Sequence, residues 1–198
     1  MSEVKRLVGA EKILQQLGGD VQEHCQQVSR LAGKLFEQTA QLHHLGADEK
    51  DLLLVAGLLH DLGITVSVQG HHKISQEIIS QLELPGFTAS DQAIIACVAR
   101  YHRKSHPALK HEEFSRLNAT QRELVRQLAA LLRIADGLDR SHFSTVKKLH
   151  AYTVEDRQWV IEVSGDGPMQ TEIWAANELK KQLFEEVWGV QLTIVAAD

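Results

Sequence analysis

The feature that most constrains this chain is a continuous apolar stretch, residues 52–59, which is followed at once by His60 and Asp61. A run of this kind is typical of an element buried on several sides, here a helix. An unpaired carboxylate is costly to keep at the end of a buried helix. The charge of Asp61 must therefore be compensated, and a divalent cation shared with other inward-pointing histidines and acids would do so.

Apolar periodicity directs three more histidines or acids towards the core. His24 lies on the same helical stripe as Val28, and Asp136 comes four residues after Leu132 at the end of another stripe. His102 lies on the inward face of a third helix, close to its end. A single inward histidine is more often a hydrogen-bonded core residue than a ligand, but several coincident buried polar groups are unusual and indicate a site.

Residues 66–75 show little helical periodicity and are predicted to form a loop. This loop would carry His71 and His72 to the start of a helix over residues 74–82. Loops hold a disproportionate share of binding residues. A pair of histidines facing solvent is the alternative interpretation of the segment.

The last helix before the C-terminal part carries further polar residues whose positions are predicted from spacing. Thr120 and Glu123 have the spacing of a capping box at its start. Arg133 is expected on the solvated outer face. Asp139 and Arg140 are expected to pair across the helix end.

Beyond Ser144 the pattern changes to alternation of β-branched, aromatic and polar residues, which is typical of strands. The chain is therefore predicted to be mainly α, with a helical domain over residues 1–144 and a small α+β subdomain over residues 145–198. Four aromatic residues are predicted to form the core of this subdomain: Trp159, Trp174, Phe184 and Trp188. The subdomain is predicted to contain three strands, residues 147–155, 158–164 and 190–195, one helix over residues 170–187, and a turn at Asp156-Arg157.

Composition limits the classes of partner. A net charge of −5 argues against general binding of DNA or of an anionic membrane, because those partners require a basic face. The two cysteines, Cys25 and Cys97, are isolated thiols that fit a reducing compartment, and the N-terminus lacks the apolar segment of a signal peptide. We expect a cytoplasmic protein without a membrane partner; a homo-oligomer is compatible with the sequence.

The inward residues form a set of nitrogen and oxygen donors. Two imidazoles and two carboxylates, from His24, His60, Asp61 and Asp136, suit a divalent ion such as Mn, Fe, Co or Mg better than Zn, since there is no set of thiolates. If His71 and His102 also converge, six ligands would be available. Such a set would be sufficient for two ions bridged by the carboxylate of Asp61 and a hydroxide.

The order of these residues, His24, then His60-Asp61, then Asp136, resembles the H...HD...D signature of the HD-domain metal-dependent phosphohydrolase superfamily. A closer similarity, to the C-terminal HD region of the exopolyphosphatase / guanosine pentaphosphate phosphatase family, covers nearly the whole chain. The motifs that carry it are Leu59-His-Asp-Leu-Gly63, Gly70-His-His-Lys-Ile-Ser75, Leu84-Pro-Gly-Phe87, Arg100-Tyr-His-Arg103, Leu132-Arg-Ile-Ala-Asp-Gly-Leu-Asp-Arg-Ser141, Glu172-Ile-Trp174 and Leu183-Phe-Glu-Glu-Val-Trp-Gly189.

The resemblance implies an HD-domain helical bundle and assigns the ligands. A first ion would be held by four residues: His24, His60, Asp61 and Asp136. His71, which stands four residues before Ser75, would bind a second ion together with His102, and His72 is a secondary candidate. Lys73 would contact phosphate.

Two departures from related enzymes narrow the expected activity. Full-length members of the family carry their polyphosphate chemistry in an N-terminal actin-like domain that this sequence does not include, so exopolyphosphatase activity is not expected to carry over. His60-Asp-Leu-Gly-Ile64 also lacks the lysine that follows HD-x-G in several cyclic-dinucleotide phosphodiesterases. Cyclic dinucleotides are therefore a disfavoured class of substrate.

The predicted function is that of a metal-dependent phosphohydrolase acting on a nucleotide or other small phosphate ester through a metal-bridging hydroxide. Lys73, Arg103 and Arg140 are predicted to hold the phosphate oxygens. One alternative is a non-catalytic regulatory module that binds metal or nucleotide. Another is a structural helical domain in which the acids and histidines form a buried polar network.

Overall fold

The computed structural model describes residues 3–15, 19–155 and 157–197. Over these residues the protein is mainly α-helical, with a small three-stranded sheet near its C-terminal end, which confirms the predicted fold class. No helix in the described part of the chain is both long enough and apolar enough to cross a membrane. The helices are, in chain order, α1 (Glu3–Leu14), α2 (Gly19–Gln38), α3 (Ala40–His43), α4 (Ala47–Leu59), α5 (His71–Gln81), α6 (Ala89–Arg100), α7 (Glu112–Ser115), α8 (Ala119–Gly137), α9 (Gln170–Ala175) and α10 (Gln182–Trp188).

Helix α4 lies at the centre of the helical part, packed against α1, α2, α6 and α8. Most of its residues are buried because neighbouring helices cover several of its faces, which accounts for the apolar run in the sequence. Its crossing with α2 is close at Gly57, where an added Cβ would lie 2.8 Å from the Cα of Ser29. This close approach brings the imidazole centroids of His24 and His60 to within 5.2 Å of each other.

Helix α8 begins with a different cap from the one predicted. The capping box of Thr120 and Glu123 is wrong, because Thr120 already lies within the first turn. Asn118 is the N-cap: its Oδ1 accepts from the N–H of Gln121 at 2.9 Å, and its own N–H donates to Oε1 of Gln121 at 2.9 Å. From this start α8 packs against α2, α4 and α6 and carries Asp136 in its last turn.

Helix α5 begins at His71, so the prediction that His71 and His72 lie in a loop is wrong. Both residues belong to the first turn of the helix. Gly70 precedes it in the left-handed conformation, with φ of 76°, which glycine adopts without strain. The loop prediction failed because this first turn is polar and has no apolar periodicity from which a helix could be recognised.

The position of α5 is determined by its contact with a 3-10 turn, Leu62–Thr65, that follows α4. A Cβ added at Gly63 would lie 2.3 Å from the carbonyl oxygen of His71 and 2.7 Å from the backbone nitrogen of Ser75. The N–H of Gly63 also donates to Oγ of Ser75 at 2.9 Å. This contact places the start of α5, and with it His71, beside the end of α4.

The sheet has the strand order β1–β2–β3, with β1 antiparallel to β2 and β2 parallel to β3. Its strands are β1 (Val146–Glu155), β2 (Gln158–Gly165) and β3 (Gln191–Ala196), each starting and ending within one residue of its predicted bounds. A parallel pair requires a crossover connection. The single predicted helix over residues 170–187 is observed as α9, a π-helical turn (Ala176–Lys180) and α10. Asp156 of the predicted turn lies outside the described residues.

The four aromatic residues predicted for the C-terminal core differ in burial. Trp159 and Phe184 are buried and Trp188 is partly buried. Trp174 is 54% exposed, so its assignment to the core is wrong. The reason is its position on the outer side of α9, which the alternation of the strands could not indicate.

Helix α2 joins the helical part to the sheet through polar side chains along the free edge of β1. Gln38 donates to the carbonyl oxygen of Leu149 at 2.9 Å and accepts from the N–H of Ala151 at 2.6 Å, as a neighbouring strand would. Gln27 donates to the carbonyl oxygen of Val146 at 2.6 Å. These bonds satisfy backbone groups that an edge strand otherwise leaves open. The division of the chain after residue 144 stays a prediction.

Candidate metal centre

Three histidines reach one region from three separate elements, since His60 ends α4, His71 opens α5 and His102 follows α6. Each Nδ1 lies within hydrogen-bond distance of the backbone carbonyl oxygen three residues earlier, which assigns the hydrogen to Nδ1. Each Nε2 then carries a lone pair that can act as a ligand, an arrangement that metal-binding histidines share. In this structure the Nε2 of His71 accepts a hydrogen bond from Nη1 of Arg103 at 3.1 Å, which a cation would have to displace. The Nδ1 to oxygen distances are 2.8 Å for His60 to Gly57, 2.9 Å for His71 to Val68 and 2.7 Å for His102 to Ala99.

His24 is oriented by a carboxylate. Its Nδ1 donates to Oδ2 of Asp139 at 2.8 Å, and Oδ1 of Asp139 accepts from the N–H of Ser144 at 2.8 Å. The imidazole of His142 stacks on that of His24, with centroids 3.8 Å apart and an interplanar angle of 6°. The expected pair of Asp139 with Arg140 is therefore wrong: Asp139 is buried and directs the Nε2 of His24 towards the other ligands.

The carboxylate of Asp61 lies between two pairs of imidazoles. Its Oδ2 is 3.9 Å from Nε2 of His24 and 3.7 Å from Nε2 of His60. Its Oδ1 is 3.2 Å from Nε2 of His71 and 3.6 Å from Nε2 of His102. Because the two oxygens face different pairs, this carboxylate has the position required to bridge two cations.

Asp136 completes the first of these groups. Its Oδ1 is 3.4 Å from Nε2 of His24 and 3.8 Å from Nε2 of His60. Its Oδ2 accepts a short hydrogen bond from the ammonium group of Lys180, which also donates to the carbonyl oxygen of His102 at 3.0 Å. Lys180 comes from the π-helical turn, so the C-terminal part of the chain contributes a buried cation to the site.

The carboxylates raise the pKa of two of the imidazoles, whereas burial, followed by the charge of His60, lowers the pKa of His102 well below its ordinary value. Burial alone would lower the pKa of His24, but Asp136 and Asp139 outweigh it and raise the pKa to about 9. The same opposition, with Asp61 as the main carboxylate, raises the pKa of His60 to about 9. Burial would raise the pKa of Asp61 and Asp136, yet the surrounding cations lower both values. The carboxylates of the cluster therefore favour positive charge at His24 and His60.

The donor atoms fit a divalent cation. Three buried atoms that face the cluster, Nε2 of His24, Nε2 of His60 and Oδ1 of Asp61, have no hydrogen-bond partner among the described residues. Leaving such an atom unsatisfied costs about 1–3 kcal/mol. The ligand atoms of His24, His60 and Asp136 lie within 4.8 Å of one another, as do those of His60, Asp61 and His102. Metal ligation would satisfy all three atoms.

A cavity of about 570 Å³ opens onto Asp61 and Asp136. Two of the predicted phosphate contacts, Arg103 and Arg140, line it, and Nη1 of Arg103 lies 3.1 Å from Nε2 of His71. The cationic side chains along its wall are Arg103, Lys104, Arg133, Arg140 and Lys180. An anionic group bound in this cavity would therefore meet positive charge next to the candidate ligands.

Arg133 is one of these cations although it was expected on the outer face. That prediction is wrong, because Arg133 is buried and donates to the carbonyl oxygen of Tyr101 at 3.0 Å. The long side chain crosses from α8 to the end of α6. Burial lowers its pKa.

The structure places Lys73, the third predicted phosphate contact, and His72, the secondary candidate ligand, along a neighbouring cavity of about 120 Å³. Arg103 lines both cavities. Burial, followed by the charges of Arg103, His71 and Arg100, lowers the pKa of His72 to about 4. The imidazole of His72 is thus held neutral within a cationic environment.

Sequence patterns did not identify Asp139, His142 or Lys180 as parts of the site. Asp139 could have been found, because it follows Asp136 by three residues and so lies on the same side of the helix end. Neither His142, in the loop after α8, nor Lys180, in the π-helical turn, belongs to a regular apolar stripe. Only the packing of these segments brings the two side chains to the cluster.

Comparison with known protein families gives a match that covers most of the chain. A family model described as Ppx/GppA phosphatase, domain III matches residues 6–182. The matched range contains the six candidate ligands, both cavities and Lys180. The match therefore includes the candidate site as well as the helical framework.

Proposed function

This chain belongs to the Ppx/GppA phosphatase domain III family, and from that premise we propose that it is a metal-dependent phosphohydrolase of the HD-domain type. The proposed substrate is a nucleotide or another small phosphate ester. The observation that carries the proposal is the position of Asp61, whose two carboxylate oxygens face two different pairs of imidazoles. The family supplies the link to phosphatases, and this geometry supports metal dependence.

Two cations would share the carboxylate of Asp61. The donors are imidazole nitrogens and carboxylate oxygens without thiolates, a set that favours Mn, Fe, Co or Mg over Zn. The orientation of each imidazole by a carbonyl or carboxylate on its Nδ1 supports ligation through Nε2. One cation would be held by His24, His60, Asp61 and Asp136, and the other by Asp61, His71 and His102.

When bound, such a pair of cations lowers the pKa of a water molecule, which makes hydroxide available as a nucleophile, and stabilises charge on the oxygens of a phosphate ester. The protein's own side chains would position the substrate. The guanidinium groups of Arg103 and Arg140 would bind phosphate oxygens in the larger cavity. Lys180 would keep Oδ2 of Asp136 occupied and so leave Oδ1 directed towards His24.

The dimensions of the larger cavity support a small-molecule substrate. Its volume of about 570 Å³ lies within the roughly 300–1,000 Å³ of ligand pockets. Its wall combines cations with apolar side chains, among them Ile64, Val68 and Leu179. The cations suit a phosphate group, and the apolar side chains suit an organic portion such as a nucleobase.

A metal inventory combined with a phosphatase assay tests the proposal. Protein purified without a histidine tag is expected to contain a divalent metal and to hydrolyse a generic aryl phosphate. Asp61→Ala is expected to lose both properties. Asp166→Ala, which removes an exposed acid from the loop after β2, serves as the control and is expected to keep both. Unchanged metal content in Asp61→Ala would disprove the assignment.

A second candidate function is a regulatory module that binds metal or nucleotide without turnover. The ion pair between Lys180 and Asp136 favours it, because an ammonium group already neutralises one of the candidate ligands. In that case a nucleotide would raise the melting temperature. The same protein would release no phosphate with Mn, Co, Fe or Mg.

A further inference from the structure

The smaller cavity next to the candidate metal centre has a wall of cationic and neutral polar side chains, and no described carboxylate lines it. Lys73, Arg100 and Arg103 contribute cations and Ser105 contributes a hydroxyl group, whereas the hydroxyl group of Tyr101 is hydrogen-bonded to Nδ1 of His111 at 2.8 Å. We propose that this cavity is a second anion site, which binds one phosphate group apart from the metal ligands.

The charge of the three cations is not neutralised within the described part of the chain, where none of them forms an ion pair with a carboxylate. Arg100 donates to the amide oxygen of Gln76 at 2.7 Å, and its guanidinium lies 5.7 Å from the centroid of the Tyr101 ring. Glu113, whose charge acts on Tyr101, is exposed and does not line the cavity. Converging cations without a counter-charge repel one another, and an anion bound between them would relieve that repulsion.

The size of the cavity limits what it can hold. Its volume of about 120 Å³ is well below the roughly 300–1,000 Å³ of pockets that hold whole small molecules. A single phosphate group is compact and offers several acceptor oxygens. Guanidinium groups bind such oxygens through paired N–H donors, and the ammonium group of Lys73 adds a point charge.

Arg103 links this cavity to the larger one, because its side chain lines both. Two sources of the phosphate are compatible with that position: a second phosphate group of the substrate, or free inorganic phosphate. The first source rests on the proposed function, since it requires an ester whose other phosphate reacts at the metal centre. The binding site itself does not depend on turnover.

Binding of inorganic phosphate to the whole chain, freed of divalent metal by a chelator, tests the site by calorimetry. Lys73→Gln is expected to weaken phosphate binding about tenfold, the effect of losing one charge-assisted hydrogen bond. The side chain of Lys73 is exposed, so this variant is expected to fold. Lys148→Gln, which removes an exposed lysine from β1, is the control. Absence of phosphate binding, or equal weakening by Lys73→Gln and Lys148→Gln, would overturn the proposal.

Turnover by the metal-loaded protein distinguishes the two sources. If the site holds a second phosphate of the substrate, Lys73→Gln is expected to raise KM about tenfold for a nucleoside 3′,5′-bisphosphate and to leave phenyl phosphate kinetics unchanged. If it holds free phosphate, both KM values stay the same and added phosphate alters wild-type turnover at about tenfold lower concentration than in the variant. If the KM for the bisphosphate and the response of turnover to added phosphate are the same in Lys73→Gln and in the wild type, the phosphate site has no role in turnover at the metal centre. A protein that binds phosphate but hydrolyses neither ester would refute the proposed function alone.

Discussion

Replacing Asp139 by asparagine is expected to weaken one half of the candidate metal centre and to spare the other. Asp139 is buried and accepts two hydrogen bonds, from Nδ1 of His24 at 2.8 Å and from the N–H of Ser144 at 2.8 Å. Asparagine keeps the shape of the side chain but has only one acceptor oxygen. One of the two donors therefore loses its partner, and the negative charge that supports the basicity of His24 is removed.

The size of the effect follows from the role of Asp139 behind a ligand. Loss of an outer partner of a metal-binding histidine costs about 10–100-fold in affinity. This corresponds to about 1.4–2.8 kcal/mol of binding free energy. His71 and His102 are oriented by backbone carbonyl oxygens, so the second half of the centre is expected to bind metal as before.

Competition of the protein with a chromophoric chelator for Mn²⁺ measures the two affinities. Asp139→Asn is expected to show one weakened and one unchanged binding step, and its kcat is expected to approach that of the wild type at saturating metal. Asp166→Asn, an exposed amide substitution of the same kind, is the control. Equal weakening of both steps, or no weakening of either, would refute the assignment of Asp139 as the group that positions His24.

Three further predictions concern stability. Gly63→Ala is expected to lower the free energy of unfolding in urea by about 1–3 kcal/mol, because its Cβ would lie 2.3 Å from the carbonyl oxygen of His71; a change below 0.5 kcal/mol would show that α5 shifts without cost. Lys180→Met leaves Asp136 without its buried counter-ion and is expected to lower the free energy of unfolding by about 3–5 kcal/mol in chelator-treated protein, and by less with Mn²⁺ present. An equal loss in both conditions would contradict the prediction that a metal ion compensates the charge of Asp136. Burial lowers the pKa of His43 below its ordinary value of 6.5, so the stability that it contributes is fully present above pH 6.5 and is lost as the pH falls below that value. Thermal melts from pH 7.5 to 5 are expected to show a smaller decline for His43→Gln than for the wild type, and equal declines would exclude this group as a source of acid sensitivity.

Several parts of the fold follow from local patterns in the sequence. The alternation of apolar and polar residues predicted the three strands to within one residue, because each strand has one buried face. The apolar stripe of α2 and the continuous apolar run of α4 predicted that His24, His60 and Asp61 are buried, which the structure confirms. A residue on the stripe of a packed helix must face the core whatever that core contains.

Where local patterns failed, a competing local or tertiary interaction decided the outcome. Thr120 is of a residue type that often caps helices, but Asn118 takes that role through a reciprocal pair of hydrogen bonds with Gln121. Arg133 is of a residue type that is usually exposed to solvent. It is buried because the carbonyl oxygen at the end of α6 lies within reach of its guanidinium.

The sequence by itself determined that α2, α4 and α8 are buried along their apolar residues and that His24, His60, Asp61 and Asp136 lie on or beside those residues, because periodicity depends only on the geometry of one element. Only the tertiary structure decided that the two oxygens of Asp61 face different imidazole pairs. It also decided that Lys180 reaches Asp136, from which it is 44 positions away in the sequence. Lys73, likewise, lines a smaller cavity beside the candidate metal centre and not the larger one. The physical reason is that a helix's own pattern specifies its buried face, whereas the distance between side chains of different helices depends on how closely those helices pack.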